Sequence, residues 1–259
     1  MQIHQIVATL LIPLIVSQLL VKFTDDKDAV PMPNETTPHG KLASCLADGA
    51  QEKATVIGLG DSLTVGIGDE YNLSGYFGRL TRYANEKNCL HEAVNFSEKG
   101  FTTMDLLEQL KRDDVKAAIE RADVIIFTIG ANDLIQLLKE VHLSLKFDLI
   151  EKEEKRYAKN IAKVLSEIRS LNRSAEIYYI GFYNPVDDSF GKEYLDSLVI
   201  KWNNISEQYV KEMERAHFIA INDLFSRDAK RFLSEDKFHP NHLGYEVIEK
   251  RVRSFMLNK

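Results

Sequence analysis

The chain has 259 residues, of which 44% are hydrophobic and 28% are charged, and its formal net charge is −6. This composition is typical of a globular domain that is long enough to bury a hydrophobic core. The acidic balance argues against nucleic-acid binding, which requires a basic face. The two cysteines, Cys45 and Cys89, form neither a disulfide framework nor a metal-binding spacing. We therefore expect Cys89 to be a small packed side chain and Cys45 to lie in a linker.

The N-terminal part of the chain divides into an apolar segment and a polar one. Residues 6–21 form an almost unbroken apolar run whose length lies between a signal-peptide core and a transmembrane helix. A buried core helix is the plainer alternative, but a polar stretch with Pro31, Pro33 and Pro38 follows directly. No small-residue cleavage site is evident, which favours an uncleaved signal anchor over a removed signal peptide.

These features predict three parts, which are an N-terminal signal anchor or signal peptide over residues 1–23, a flexible linker over 24–53 and a folded domain over 54–259. We expect the first part to attach the protein to a membrane, with the domain facing outward. If the segment is cleaved, the domain is secreted instead.

Strand-like and helix-like segments alternate along the folded domain. Short apolar runs predict strands over residues 55–57, 91–96, 123–129, 176–182 and 217–221. Helical spacing of apolar residues covers residues 75–88, 103–121, 134–171, 195–215 and 244–256. Such alternation predicts an α/β fold with a five-stranded parallel sheet and helices on both faces. Right-handed crossovers then bring the carboxyl ends of all strands to one edge.

The turn after the first strand contains the first candidate site. Residues 55–69 read TVIGLGDSLTVGIGD, so a strand runs into glycines and then presents Asp61 and Ser62. The stretch misses the dinucleotide fingerprint, which requires glycine where Leu63 stands, and the nucleophile elbow, which requires glycine where Thr64 stands. Taken alone, Asp and Ser in such a turn serve equally well to bond the local backbone.

Three further candidate sites fall at the same predicted edge, namely Gly100, Asn132 and the pair Asp236 and His239. Individually each has a plain interpretation as a turn, a helix N-cap or a surface ion pair. A nucleophilic serine nevertheless needs a base, and His239 is preferred because Asp236 precedes it by three residues and can reach the imidazole. No carboxylate has that spacing from His242, which we assign to the start of the last helix. The other histidines show no metal spacing, and no cofactor is implied.

Together these segments resemble the SGNH or GDSL hydrolase superfamily, which is named for residues at these four sites. They read Gly60-Asp61-Ser62-Leu63, then Gly100, then Gly130-Ala131-Asn132-Asp133, then Asp236-Lys237-Phe238-His239-Pro240. The resemblance implies a flavodoxin-like three-layer α/β/α fold and a serine esterase. It further implies Ser62 as nucleophile, His239 as base and Asp236 as its partner. The implied oxyanion hole consists of the N–H groups of Ser62 and Gly100 and the side-chain amide of Asn132, while Asp61 and Asp133 support the loops.

The substrate is less well defined by the resemblance than the chemistry. The chain looks most like bacterial lipases and acylhydrolases related to lysophospholipases, which implies a small ester or lipid substrate. Many relatives carry a further glycine and small residues where this chain has Ser97, Glu98 and Lys99, so their substrate preference does not transfer directly. Two alternatives remain. One is an O-acetylesterase acting on cell-wall or other polysaccharide, and the other is a non-catalytic binding module on the same fold.

Overall fold

The computed structural model describes residues 40–49, 51–144, 148–186, 192–226 and 228–257. The strands are β1 (Ala54–Gly60), β2 (Leu90–Asn95), β3 (Val124–Thr128), β4 (Glu176–Ile180) and β5 (Ala216–Ile219). The longer helices are α1 (Gly40–Asp48), α3 (Gly75–Glu86), α4 (Thr103–Gln109), α5 (Asp113–Arg121), α6 (Ala131–Ser144), α7 (Asp148–Leu171), α8 (Lys192–Lys211) and α11 (His242–Met256). Three single-turn helices are α2 (Ser62–Val65), α9 (Asn222–Phe225) and α10 (Ala229–Phe232).

All five strands are parallel and lie in the order β2-β1-β3-β4-β5. This order is that of flavodoxin-like sheets, and it reverses direction between β1 and β3. Ligands of open α/β sheets bind outside the carboxyl ends of the strands at this reversal. The predicted fold is therefore confirmed, and its expected ligand position lies beside Ser62, directly after β1.

Two hydrophobic cores lie on the two faces of the sheet. The first packs α4 to α8 on one face and includes Leu106, Ile119, Tyr157, Ile161 and Trp202. The second packs α1, α3 and α11 on the other face and includes Leu42, Tyr76, Leu80, Tyr245 and Ile248. The central strands β1, β3 and β4 are buried along their whole length, which explains their continuous apolar sequences. The edge strand β2 instead alternates between half-buried and exposed residues.

Two of the predicted helices are each divided in the structure. The segment predicted as one helix over 103–121 forms α4 and α5, with a turn between Leu110 and Asp113. Val115, the next buried apolar residue after Leu110, lies five positions further along the chain. A single helix would need spacings of three or four there, so the break keeps both segments packed. The pattern over 134–171 likewise forms α6 and α7, and α6 begins three residues earlier than predicted, at Ala131.

The predicted linker over 24–53 is wrong for its last part, because residues 40–48 form α1. This helix buries Leu42, Ala43 and Cys45 against the second core. The prolines and polar residues before it concealed this short apolar spacing. An ion pair of 2.9 Å joins Lys41 to Asp123 at the start of β3, so α1 covers the amino-terminal edge of the sheet. The earlier part of the linker and the predicted N-terminal anchor lie outside the described residues.

The cysteine prediction is also wrong, since Cys45 and Cys89 form a disulfide with 5.7 Å between their Cα atoms. The pairing depends on α1, which brings Cys45 beside the start of β2. Because the two residues are 44 positions apart, no local spacing in the sequence reveals the contact. In the part of the chain that the structure describes, no helix is long and apolar enough to cross a membrane.

Candidate active site

Ser62 is the first residue of α2 and directly follows the tight turn after β1. Its neighbour Asp61 caps this helix by accepting a hydrogen bond of 3.1 Å from the N–H of Leu63. Gly60 has a φ of +102°, and a Cβ at that position would lie 1.8 Å from the carbonyl oxygen of Thr128. Glycine is therefore required where β1 turns beside β3. The turn leaves Ser62 nearly buried, with 7% of its surface exposed.

His239 links Ser62 to Asp236 through its two ring nitrogens. Nε2 of His239 lies 2.9 Å from Oγ of Ser62, and Nδ1 lies 2.6 Å from Oδ2 of Asp236. The other carboxylate oxygen of Asp236 accepts hydrogen bonds of 2.9 Å each from the backbone N–H groups of Phe238 and His239. It also accepts one from the hydroxyl of Ser234. These contacts fix the carboxylate, and through it the orientation of the imidazole ring.

The electrostatics of this pair favour a neutral imidazole beside a charged carboxylate. Burial lowers the pKa of His239 below its ordinary value of 6.5, and hydrogen bonding and charge attraction from Asp236 oppose this only in part. Burial alone would raise the pKa of Asp236, but hydrogen bonds from the ring and backbone of His239 outweigh it and hold this pKa at about 2. At neutral pH Nδ1–H therefore donates to Asp236, which leaves Nε2 to accept the proton of Ser62.

The three predicted oxyanion donors lie around the same strand ends. The N–H of Ser62 is in the first turn of a helix, where backbone donors have no intrahelical acceptor. Gly100 lies in an exposed loop with a φ of +87°, a conformation that favours glycine. Asn132 lies in the first turn of α6, and its amide donates a 2.8 Å hydrogen bond to the carbonyl of Phe101. That contact holds the Gly100 loop beside α6, and among the described residues no acceptor is found for the second N–H of the amide.

An apolar cleft opens at Ser62 and His239. The helices α6 and α8 provide much of its wall, through Leu134, Ile135, Leu138, Leu195 and Val199. Asn132 also lines this cleft, so the side chains of the predicted nucleophile, base and oxyanion donor share one cavity. Among the described residues, no group of three or more His, Cys, Asp or Glu side chains is placed to hold a metal ion.

Comparison with known proteins identifies the family. The family model of the GDSL-like lipase/acylhydrolase family matches residues 59–247, a span that includes every predicted site residue. The chain belongs to this family. It is accordingly a carboxylic ester hydrolase of the GDSL type.

Individual relatives agree with this assignment. The chain is 37% identical over 207 residues to the protein YpmR of Bacillus subtilis strain 168, covering 78% of this chain and 81% of that protein. It is 30% identical over 207 residues to the spore germination lipase LipC of Bacillus licheniformis, covering 76% of this chain and 93% of LipC.

Solved structures of esterases share the fold. The lipase Lip_vut3 from a goat rumen metagenome superposes with a TM-score of 0.69 at 25% identity, covering 78% of this chain and 97% of the lipase. A mutant of Axe2, an acetyl-xylooligosaccharide esterase from Geobacillus stearothermophilus, superposes with a TM-score of 0.61 at 16% identity, covering 80% of this chain and 95% of the esterase. At that identity the second likeness concerns the fold alone.

Asp61 and Asp133, the two other acidic residues in the GDSL-family blocks, are both buried, and Asp61 also lines the cleft. Asp61 accepts a 2.6 Å hydrogen bond from the hydroxyl of Thr128, and Asp133 accepts two from the backbone and hydroxyl of Thr103. Burial raises the pKa of each carboxyl to about 6, against the lowering effect of these hydrogen bonds. Asp61 therefore connects the turn after β1 to the end of β3, and Asp133 connects α6 to the start of α4.

Sequence reasoning missed a hydroxyl network behind Ser62. The hydroxyl of Thr64 lies 2.8 Å from that of Thr128 and 2.6 Å from that of Tyr76, and all three residues are buried. Thr128 in turn bonds to Asp61, so the network connects β3 and α3 to the turn that presents Ser62. The available signal was Thr128 itself, a polar residue within an otherwise apolar strand.

A second missed contact concerns His242. As predicted it belongs to the start of the last helix, since it is the first residue of α11. Its ring also pairs with Glu70, and its ring stacks on Tyr71 with 4.4 Å between the ring centroids. Glu70 and His242 lie 172 positions apart, and no sequence signal indicated this pair. This contact connects the loop after α2 to the segment that contains His239.

Proposed function

We propose that the protein hydrolyses carboxylic esters through an acyl-enzyme on Ser62. The hydroxyl of Ser62 attacks the ester carbonyl carbon while Nε2 of His239 accepts its proton. The tetrahedral intermediate then loses the alcohol, to which His239 returns the proton. Water attacks the acyl-enzyme by the same route and releases the acid and the free serine. The observation that carries this proposal is the continuous hydrogen-bonded chain from Ser62 through His239 to Asp236.

The developing negative charge on the carbonyl oxygen requires donors that are already in place. We assign this role to the N–H groups of Ser62 and Gly100 and to the free N–H of the Asn132 amide. Support comes from the position of Asn132 on the same cleft as Ser62. The hydrogen bond from Asn132 to Phe101 further supports the assignment, because it positions the amide and the Gly100 loop together.

The acyl portion of the substrate is proposed to be a hydrocarbon chain longer than acetyl. The cleft beside Ser62 continues along α6 and α8 between apolar side chains such as Ile135, Leu138 and Val199. Each further methylene group that is buried against such a surface stabilises the bound ester by roughly 0.8 kcal/mol. A lipase or lysophospholipase-like activity follows, and it agrees with the names of the related spore germination lipase and the goat rumen lipase.

An O-acetylesterase is the competing candidate, because the same chemistry would remove acetyl groups from a polysaccharide. A series of 4-nitrophenyl esters from acetyl to dodecanoyl separates the two. We expect kcat/KM to rise with acyl length until the cleft is filled. A preference for acetyl would overturn the lipid assignment while leaving the chemistry in place.

A binding module on the same fold would make no use of the serine. The direct test measures hydrolysis of 4-nitrophenyl butyrate by wild type, Ser62→Ala and the matched control Ser170→Ala. The hydroxyl of Ser170 donates to the local carbonyl of Glu167 on α7. We expect turnover in wild type and in the control, and none in Ser62→Ala with its folding unchanged. If no turnover is found with any ester of the series, the binding module becomes the better account.

We also propose that the domain faces outward from the cell, attached by its N-terminal segment or released from it. The disulfide between Cys45 and Cys89 supports this, because such bonds persist in oxidising compartments and are rare in the cytosol. Protease added to intact cells should degrade the protein, and alkylation under denaturing conditions should find both thiols blocked. Protection from the protease, with both thiols free, would contradict an outward location.

A further inference from the structure

The cleft beside Ser62 has a second apolar wall, separate from the one that α6 and α8 provide. Three half-buried side chains form it, namely Tyr183, Pro185 and Phe238. The first two follow β4, and Phe238 directly precedes His239. Because these side chains keep part of their surface exposed, a ligand in the cleft can cover them and remove apolar surface from water.

Phe238 contacts the ring of His239 and is held there. The two rings are nearly perpendicular, at 88°, with 4.8 Å between their centroids. The N–H of Phe238 donates a 2.9 Å hydrogen bond to Asp236, and its carbonyl accepts one of 2.7 Å from the hydroxyl of Tyr183. Tyr183 in turn stacks on Phe225, with 3.8 Å between the ring centroids. The wall is therefore fixed by contacts within the domain.

The contact with His239 places this wall on the alcohol side of the scissile bond. In the proposed reaction His239 returns its proton to the departing alcohol, so the alcohol oxygen must come within hydrogen-bond reach of Nε2. The carbons attached to that oxygen then lie beside the imidazole, where Phe238 is the neighbouring side chain. The acyl chain extends from the other side of the carbonyl carbon, and Ile135 and Val199 of the α6 and α8 wall are available to it.

The polarity of the cleft favours an uncharged alcohol. Among the residues that the structure describes, no lysine or arginine lines it, and its one carboxylate, Asp61, already accepts hydrogen bonds from Thr128 and Leu63. A charged headgroup held against Tyr183 and Phe238 would lose its hydration without gaining a partner of opposite charge. A hydrocarbon chain or ring in the same place is stabilised by burial.

We propose that Tyr183, Pro185 and Phe238 form a subsite for the alcohol portion of the substrate, and that this subsite selects esters of apolar alcohols. The chemical class is an ester with hydrocarbon on both sides of the scissile bond, such as a fatty acyl ester of a primary alkyl alcohol. This inference rests on the proposed esterase function of Ser62 and His239. It assigns Phe238 as a specificity-determining residue that contacts the substrate next to the reacting atoms.

The test compares three neutral alkyl esters, with the released acid measured by pH-stat titration. Ethyl butyrate is the parent, hexyl butyrate adds four methylene groups to the alcohol, and ethyl octanoate adds four to the acyl chain. The two longer esters are isomers, so a difference between them reports the side on which the chain lies rather than total hydrophobicity.

Each ester is measured with wild type, Phe238→Ala, Phe238→Leu, Ile135→Ala and the control Lys237→Asn. Ile135→Ala alters the α6 wall and serves as the counterpart on the acyl side. Lys237 is the exposed neighbour of Phe238, and asparagine tolerates its φ of +54°. Dividing kcat/KM for each longer ester by that for ethyl butyrate removes any general effect of a variant on the reaction.

We expect Phe238→Ala to lower this ratio for hexyl butyrate by about 4- to 15-fold, which corresponds to the burial of one or two methylene groups. The loss should lie mainly in KM, and Phe238→Leu should retain most of the wild-type ratio. The ratio for ethyl octanoate should change little in Phe238→Ala and fall in Ile135→Ala. Lys237→Asn should resemble wild type with all three esters.

Equal losses for all three esters in Phe238→Ala would mean that the ring only positions His239, and would overturn the subsite. A loss confined to ethyl octanoate would place Phe238 on the acyl side and would overturn it as well. The inference also fails if wild type hydrolyses 4-nitrophenyl butyrate but not hexyl butyrate, although the esterase function then stands. Failure of wild type with every ester, including 4-nitrophenyl butyrate, would instead count against the esterase function itself.

Discussion

Nε2 of His239 lies 2.9 Å from Oγ of Ser62 although 177 residues separate the two in the chain. The backbone around His239 explains how this contact is held. The carbonyl of His239 accepts a 2.8 Å hydrogen bond from the N–H of Ser234, and the carbonyl of Phe238 accepts one of 2.7 Å from the hydroxyl of Tyr183. Because these two contacts do not involve the side chains of Ser62 and His239, those side chains can be changed to test the proposed chemistry with little effect on the loop.

Asp236→Asn tests whether the carboxylate holds the base in its working tautomer. Oδ1 of the asparagine is expected to keep the hydrogen bonds from the backbone, so its NH2 group faces Nδ1 of His239. Nδ1 then has to accept, and the imidazole takes the tautomer whose proton is on Nε2, where it cannot accept the proton of Ser62. We expect kcat to fall by roughly 10²- to 10⁴-fold, with the lower end favoured because Asp236 is partly exposed. Steady-state kinetics with 4-nitrophenyl butyrate measure this, with Glu235→Gln as the neighbouring control. Activity within two-fold of wild type would remove Asp236 from the mechanism.

The pH profile tests the protonation state of His239. Only the neutral imidazole can accept the serine proton, and burial lowers the pKa of His239 below 6.5. For a neutral ester, kcat/KM is therefore expected to rise with pH through an apparent pKa below 6.5 and then to level off. In Asp236→Asn the carboxylate no longer raises this pKa, so the rising limb should move to lower pH. An apparent pKa above 6.5 in wild type would show that burial does not determine the pKa of this imidazole.

Asn132→Ala tests the oxyanion hole. If the amide stabilises the transition state more than it stabilises the bound ester, kcat falls in the variant while KM changes little. We expect a loss of about 10²-fold or more in kcat, the usual effect of removing one such donor. Because the variant also loses the bond to Phe101, its thermal unfolding should be measured in parallel. A rise in KM with unchanged kcat would assign Asn132 to ground-state binding only.

Reduction of the disulfide tests the role of α1 in stability. The bond between Cys45 and Cys89 closes a loop spanning 44 positions, and its loss is expected to lower the unfolding free energy by about 4 kcal/mol. Urea unfolding with and without dithiothreitol measures this, and Cys45→Ser/Cys89→Ser serves as a control that dithiothreitol should not affect. The bond lies at the edge of the sheet opposite Ser62, so kcat should be retained. Equal unfolding free energies in both conditions would show that the covalent attachment of α1 through this disulfide contributes little to stability.

Much of the fold could be predicted from the sequence because buried parallel strands leave a strong local pattern. The run DVIIFTI over residues 123–129 contains β3, and alternation with helical segments gave the parallel sheet. The spacing of Asp236 and His239 was similarly local. Their contact with Ser62 followed only once the topology placed the strand ends together.

The features that escaped prediction depend on contacts between distant segments or on subtle spacing. The disulfide and the pairing of Glu70 with His242 connect residues with no shared motif. Helix α1 was hidden because its short apolar face follows a polar, proline-rich stretch. The break before α5 required attention to a single spacing of five residues, between Leu110 and Val115.

Covalent labelling tests the central claim most directly. A fluorophosphonate phosphonylates an activated serine and releases fluoride, so wild-type protein should gain one adduct that peptide mass spectrometry locates on Ser62. His239→Ala should react far more slowly, since its serine has lost its base, and Ser62→Ala should not react. An adduct on another residue, or continued ester hydrolysis by Ser62→Ala, would contradict the account.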